Sequence, residues 1–203
     1  PAGPLCRAVW MTVGPGDSDE ALMQRVAEGS AAAYGVLVRR HADRYLALAS
    51  RLSVDHGMAE EAVQDAFAKL WQQPHRFDAR KARFTTWFYR VVANRCFDLR
   101  RKRRPEPLPE GFDQADAGPT AEDRLVERDR ARLLDAALAA LPERQRLAVT
   151  LCYLQGLSNA EAAAVLDVHV KALESLLTRA RGGLRKRLGA ERAVLLAPLA
   201  KDA

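Results

Sequence analysis

Residues 157–181 read LSNAEAAAVLDVHVKALESLLTRAR. Ser158 followed three positions later by Glu161 is a capping box, in which hydroxyl and carboxylate satisfy each other's backbone N–H groups and start a helix. Ala162, Ala163 and Leu166 supply its inner side, and the small side chains at 162–164 let a second helix approach closely. A short break at Asp167-Val168 leads into a longer helix, roughly His169 to Leu188. Two helices joined by so short a turn form a helix-turn-helix candidate. His169, Lys171, Ala172, Glu174 and Ser175 then lie near the exposed N-terminal part of the second helix, the part such a motif inserts into a major groove. Thr178, Arg179 and Arg181 follow, within reach of backbone phosphates. The competing reading is a plain helical hairpin with a solvated face.

Working toward the N-terminus, Pro142 begins another helix that runs to Gly156, a good C-terminal stop. Thr120 caps the one before it, which carries Leu125, Leu133, Leu134, Ala137, Leu138 and Leu141. Pro105 to Asp123 then holds four prolines, two glycines and six acidic residues but no Lys or Arg, the composition of a flexible acidic linker. Upstream of it, Asp17 with Glu20 makes a capping box for a short helix. Ser30 caps the next, in which Tyr34, Leu37, Val38, Tyr45, Leu48 and Leu52 recur at helical spacing. Gly57 precedes a third helix that Pro74 ends, and Thr85 or Thr86 caps a fourth. The expectation is an all-α chain of two small helical domains, residues 17–104 and 120–188, joined by a linker over 105–119.

The fourth helix is unusual in its chemistry. Phe84, Trp87, Phe88, Tyr89 and Phe97 fall within fourteen residues, interleaved with cations. Consecutive rings at 87, 88 and 89 cannot share one narrow stripe, so at least one lies at its edge. Aromatic faces beside cations suit unpaired bases, each stack being worth about 1–3 kcal/mol. The plainer reading makes the rings core and the arginines a solvated face. The run Arg100 to Arg104 cannot pair within one helix end, so it seeks phosphate or water, and it also suits a helix C-terminus electrostatically.

Composition is compatible with this. The 203 residues carry a formal net charge of +6, which points to a polyanion (DNA, RNA or an anionic membrane face) or simply to an Arg-rich soluble protein. Cys6, Cys96 and Cys152 are odd in number and have no zinc-like spacing with histidine, so a reducing cytoplasm is expected, without disulfides. Buried, inert thiols are the expectation for Cys96 and Cys152. No run approaches the roughly twenty apolar residues a membrane span needs, so no membrane insertion is expected. Met11 reads as a natural start, with Pro1 to Trp10 an upstream extension. The four histidines are scattered, and no metal, phosphate-loop or nucleophile motif is present, so neither an enzyme nor a cofactor is expected.

Taken together, Met58–Trp71 (MAEEAVQDAFAKLW), Phe84–Arg104 (FTTWFYRVVANRCFDLRRKRR) and Leu141–Leu188 resemble three ordered motifs of the sigma-70 family, in its extracytoplasmic-function (ECF) group. The resemblance implies a cytoplasmic, nucleoid-associated subunit of RNA polymerase that selects promoters under an anti-sigma factor. In that reading Glu61, Gln64, Asp65, Phe67, Leu70 and Trp71 dock on, or support docking to, the β′ clamp helices of core polymerase, which also engages the protein through its β subunit. Trp87, Tyr89, Arg90, Asn94, Arg95, Asp98 and Arg101 lie at or near the melted minus-ten strand. His169, Lys171, Ala172, Glu174, Ser175, Arg179 and Arg181 face the minus-thirty-five duplex of promoter DNA. Two departures stand out. Asp167 occupies a turn position where the family often has Gly, and Asp tolerates left-handed backbone angles better than most residues. The second helix opens His-Val-Lys-Ala-Leu-Glu-Ser where Ser-Val-Gly-Thr-Val-Lys-Ser is commoner, which bears on promoter preference.

Overall fold

The computed structural model describes residues 16–103 and 133–189. Residues 1–15, Arg104, the stretch 105–119 expected as a linker and the cap expected at Thr120 lie outside the described residues. Four helices build the first module: α1 (Asp19–Ala27), α2 (Ala31–Leu52), α3 (His56–Gln72) and α4 (Phe84–Lys102), with one 3-10 turn at Pro74–Arg76 between the last two. The second comprises α5 (helical over residues 133–139), α6 (Glu143–Val149), a π-helical turn at Thr150–Leu154, α7 (Asn159–Leu166) and α8 (Val170–Leu188).

Helix starts follow the caps, with three corrections. Ser30 accepts from the Ala33 N–H at 3.3 Å, as expected. For α1, however, the cap is Ser18, accepting from Ala21 N–H at 3.2 Å, while Asp17 pairs with Arg25 at 3.0 Å. Gly57 does not precede α3 but lies in its first turn, and Asp55 caps the helix by accepting from Met58 N–H at 2.6 Å. Neither Thr85 nor Thr86 caps α4, which begins at Phe84 after Arg83 without a capping side chain of its own. Its first N–H is satisfied from another element, because Glu20 of α1 accepts from Phe84 N–H at 3.1 Å. A helix end needs acceptors for its first N–H groups but does not need them to be local.

The first core is aromatic. Tyr45 of α2 is fully buried, with its ring 4.7 Å from Phe88, 5.0 Å from Tyr89 and 6.4 Å from Phe67. Phe84 stacks on Phe88 at 5.3 Å. The second core is aliphatic, with Leu173, Leu177, Ala180 and Leu184 of α8 buried along with Ala162 and Ala163 of α7.

The two modules pack on one another, α7 against α4 and α6 with its π turn against α2. The Tyr89 hydroxyl donates to Gln155 Oε1 at 3.2 Å, Arg51 pairs with Asp135, and Arg146 reaches across to the Leu52 carbonyl at 3.4 Å. Arg146 is 1% exposed and also donates to the carbonyls of Ala139 and Leu141. A buried guanidinium thus closes the carboxyl ends of α2 and α5 together.

Candidate nucleic-acid interface

The capping box at Ser158 is fully formed. Glu161 N–H donates to Ser158 Oγ at 3.3 Å, and Glu161 Oε2 accepts from Ser158 N–H at 3.0 Å and from its hydroxyl at 2.7 Å. These hydrogen bonds from side chain and backbone hold the Glu161 carboxyl below the usual range. Asp167 ends α7 in the left-handed region, φ 55° and ψ 54°, and Val168 N–H returns to Ala163 O at 3.0 Å. This is a helix C-terminal closure that usually takes glycine. The two helices meet over the small residues Ala162 and Ala163.

Ser158→Ala is expected to cost about 1 kcal/mol, read in urea melts of the full chain at neutral pH. The Glu161 carboxyl is held lower in the folded than in the unfolded chain. Its contribution is therefore present above the unfolded pKa and disappears as pH falls through the folded one. The gap between wild type and variant should narrow on that acid side.

The buried stripe of α8 leaves its other side in water. His169, Lys171, Ala172, Glu174, Ser175 and Arg179 are exposed and Arg181 is half-buried. The Ser175 hydroxyl donates back to Lys171 O at 3.0 Å, leaving it only acceptor capacity outward.

The first module divides the expected residues differently. On α3, Gln64 and Trp71 are exposed, Trp71 at 40%, while Glu61 and Asp65 are half-buried. Phe67 and Leu70 are 5% and 1% exposed, so they support this surface from the core and do not form part of it. Their i, i+3 spacing places them on the inner stripe with Val63 and Ala66.

On α4, Arg90, Asn94 and Arg101 are exposed. Trp87 is half-buried, edged by Phe77 at 5.4 Å and Phe84 at 6.2 Å. Tyr89 is a correction. It is 1% exposed, sealed between Tyr45 and Gln155 of the second module, and burial pushes its phenol up. Its place beside Phe88 at the edge of the inner stripe lets the neighbouring module cover it. Arg95 and Asp98 are half-buried and each is partnered within the module. Arg95 is held to α3, with Nε 2.6 Å from Asp65 and a guanidinium nitrogen 3.5 Å from Glu61. Asp98 pairs with Arg101 within α4.

Several participants were not legible in sequence. Arg103 binds Glu61 at 3.0 Å and Asp55 at 3.2 Å, tying the basic end of α4 to α3. Arg146 and Gln155 carry the contact between modules, and their partners are remote carbonyls and a remote phenol, which leave no local pattern. A cleft of about 160 Å³ opens beside that seam, with Arg44, Thr85, Tyr89, Gln155 and Glu161 on its walls.

Burial pushes the Cys96 and Cys152 thiols up to about 11 each, so neither is an activated nucleophile near neutrality. Among the described residues no group of three or more His, Cys, Asp or Glu side chains is placed to hold a metal, and no helix is long and apolar enough to cross a membrane.

Two packed helical modules, one carrying a basic, aromatic-rich helix and the other a helix-turn-helix with a cationic outer helix, make up the described chain. Residues 37–106 match the family Sigma-70 region 2, and residues 131–182 match Sigma-70, region 4. The chain is 36% identical over 173 residues to the RNA polymerase sigma factor NccH of Alcaligenes xylosoxydans xylosoxydans, covering 82% of this chain and 92% of that protein. It is 35% identical over 153 residues to the ECF sigma factor SigE of Mycolicibacterium smegmatis, covering 73% of this chain and 59% of that longer protein. The solved structure of CnrH in complex with the cytosolic domain of CnrY superposes with a TM-score of 0.64 at 31% identity, over 85% of this chain and 97% of CnrH. This chain belongs to the sigma-70 family, as an ECF RNA polymerase sigma factor. Its work is accordingly transcription initiation and not catalysis.

Proposed function

We propose that this chain binds core RNA polymerase through the exposed part of α3, centred on Gln64 and Trp71, and through the β subunit. It then carries polymerase to promoters whose minus-thirty-five element is read by α8 and whose minus-ten strand is captured along α4. The observation that carries the reading is the exposed amino-terminal half of α8, mounted on a completed capping box and a left-handed turn. Arg90, Asn94, Arg101 and Trp87 are among the α4 groups left accessible for an unpaired strand. The modules extend over 17–104 and 120–188, with 105–119 as tether, and the protein acts in the cytoplasm, on the nucleoid.

The packed arrangement and the transcribing arrangement differ. Elements named for positions ten and thirty-five lie about 25 base pairs apart, which is roughly 85 Å of duplex at 3.4 Å per pair. A compact chain of this length has a radius of gyration of only ~17 Å. Engaging both elements therefore separates the modules, breaking the Tyr89–Gln155 and Arg146–Leu52 contacts and uncovering Tyr89. An anti-sigma factor is the expected regulator, supported by the likeness to CnrH, whose structure was solved with a domain of CnrY.

The test is transcription in vitro with core polymerase and genomic fragments of the host. Discrete transcripts that depend on this chain are expected. Tight operator binding by the chain alone, with no polymerase-dependent transcript, would overturn the proposal in favour of a stand-alone regulator.

A further inference from the structure

Helix α8 carries six cations, Lys171, Arg179, Arg181, Arg185, Lys186 and Arg187, and one carboxylate, Glu174. Glu174 is exposed and makes no hydrogen bond or ion pair among the described residues, although Lys171 stands one turn before it. It is the fifth residue of the helix, past the first turn where the helix dipole would favour a negative charge.

A carboxylate carried toward a duplex meets phosphate repulsion and has only acceptor atoms to offer. In the major groove, guanine presents N7 and O6 and thymine presents O4, all acceptors that repel it. Adenine offers an N6 amine but sets the N7 acceptor beside it. Cytosine alone presents only a donor, its N4 amine, on its own major-groove edge. The exposed neighbours Lys171 and Arg179 are donors, suited to guanine edges or phosphate, and the Ser175 hydrogen is already spent on Lys171 O. Ala172 leaves a small apolar surface. We infer that Glu174 is a specificity-determining residue that requires cytosine at one position of the minus-thirty-five element, by accepting a hydrogen bond from its N4 amine. This rests on α8 being the minus-thirty-five reader.

The experiment selects run-off templates from a library of duplexes randomised upstream of the start site, using core polymerase loaded with the full chain, and sequences the products. For wild type, one upstream position should favour cytosine over thymine by on the order of tenfold. With Glu174→Gln, an isosteric change at an exposed site, the side chain gains a donor and pairs well with adenine. Preference at that one position should then move from cytosine toward adenine, with all other positions unchanged. Lys171→Ala should lower yield without moving that preference. An ordered upstream motif whose base preferences are the same in wild type and Glu174→Gln overturns the assignment of Glu174 while leaving α8 as the reader. Absence of any upstream motif in wild type overturns both.

Discussion

Replacing Phe88 with alanine is expected to remove about 3–5 kcal/mol of folding stability, the usual range for emptying a buried aromatic site. Phe88 is fully buried, stacked on Phe84 at 5.3 Å, edge-on to Tyr45 at 4.7 Å and 4.8 Å from Phe67. It is therefore where α2, α3 and α4 meet. For a chain of this length each kcal/mol lowers Tm by about 2–4 °C, so a drop of roughly 10 °C is the expected size in circular dichroism melts. The change should fall on the first module, moving the part of the transition that reports α1 to α4. Phe97→Ala, at a half-buried position of the same helix, serves as the comparison and should cost clearly less. Losses of equal size at 88 and 97 would show that the aromatic cluster is not the core of this module.

Arg146→Ala should cost about 3 kcal/mol, because hydrogen bonds to charged groups contribute roughly 1.5–3 kcal/mol net and their buried acceptors would lose their partner. The guanidinium donates to Ala139 O, to Leu141 O at 3.2 Å and to Leu52 O at 3.4 Å. Burial, with a smaller contribution from Arg100, pushes its pKa down to about 10, while Glu143 raises it. The group is still protonated at neutral pH in both folded and unfolded chains, so the loss should be constant from about pH 5 to 8. Above the folded pKa, the unfolded chain binds more protons than the native one, and wild-type stability gains with rising pH. Arg146→Met keeps most of the volume and should be milder than alanine. Arg146→Lys should rescue little, since a single ammonium cannot reproduce the planar fork. Because Leu52 belongs to the first module, the variant should also loosen the seam, giving a larger hydrodynamic radius in analytical ultracentrifugation. Full stability in Arg146→Ala would mean that the guanidinium is not the link between α2 and α5.

Much of the architecture was legible before any coordinates. The helix-turn-helix was readable because its determinants are local: Ser158 and Glu161 are three residues apart, and Asp167 needs only its own backbone to end α7. The same holds for Ser30. Where the partner lay far along the chain, local reading failed. Glu20 was expected to cap its own helix and instead serves Phe84, 64 residues away. Trp71, Gln64 and Arg90 were singled out by the family resemblance, and only the structure shows them exposed. Phe67 and Leu70 fall on the inner stripe of α3.

Amino-acid order alone therefore determined the all-α class, the caps of α2 and α7, the turn at Asp167 and the cationic outer side of α8, since each depends on contacts within about one helical turn. Tertiary structure alone decided that Tyr89 is covered by Gln155, that Arg95 and Arg103 are held by carboxylates of α3, and that Arg146 joins two helix ends. Those outcomes depend on which module covers which face, and a side chain's own spacing carries no information about a partner tens of residues away.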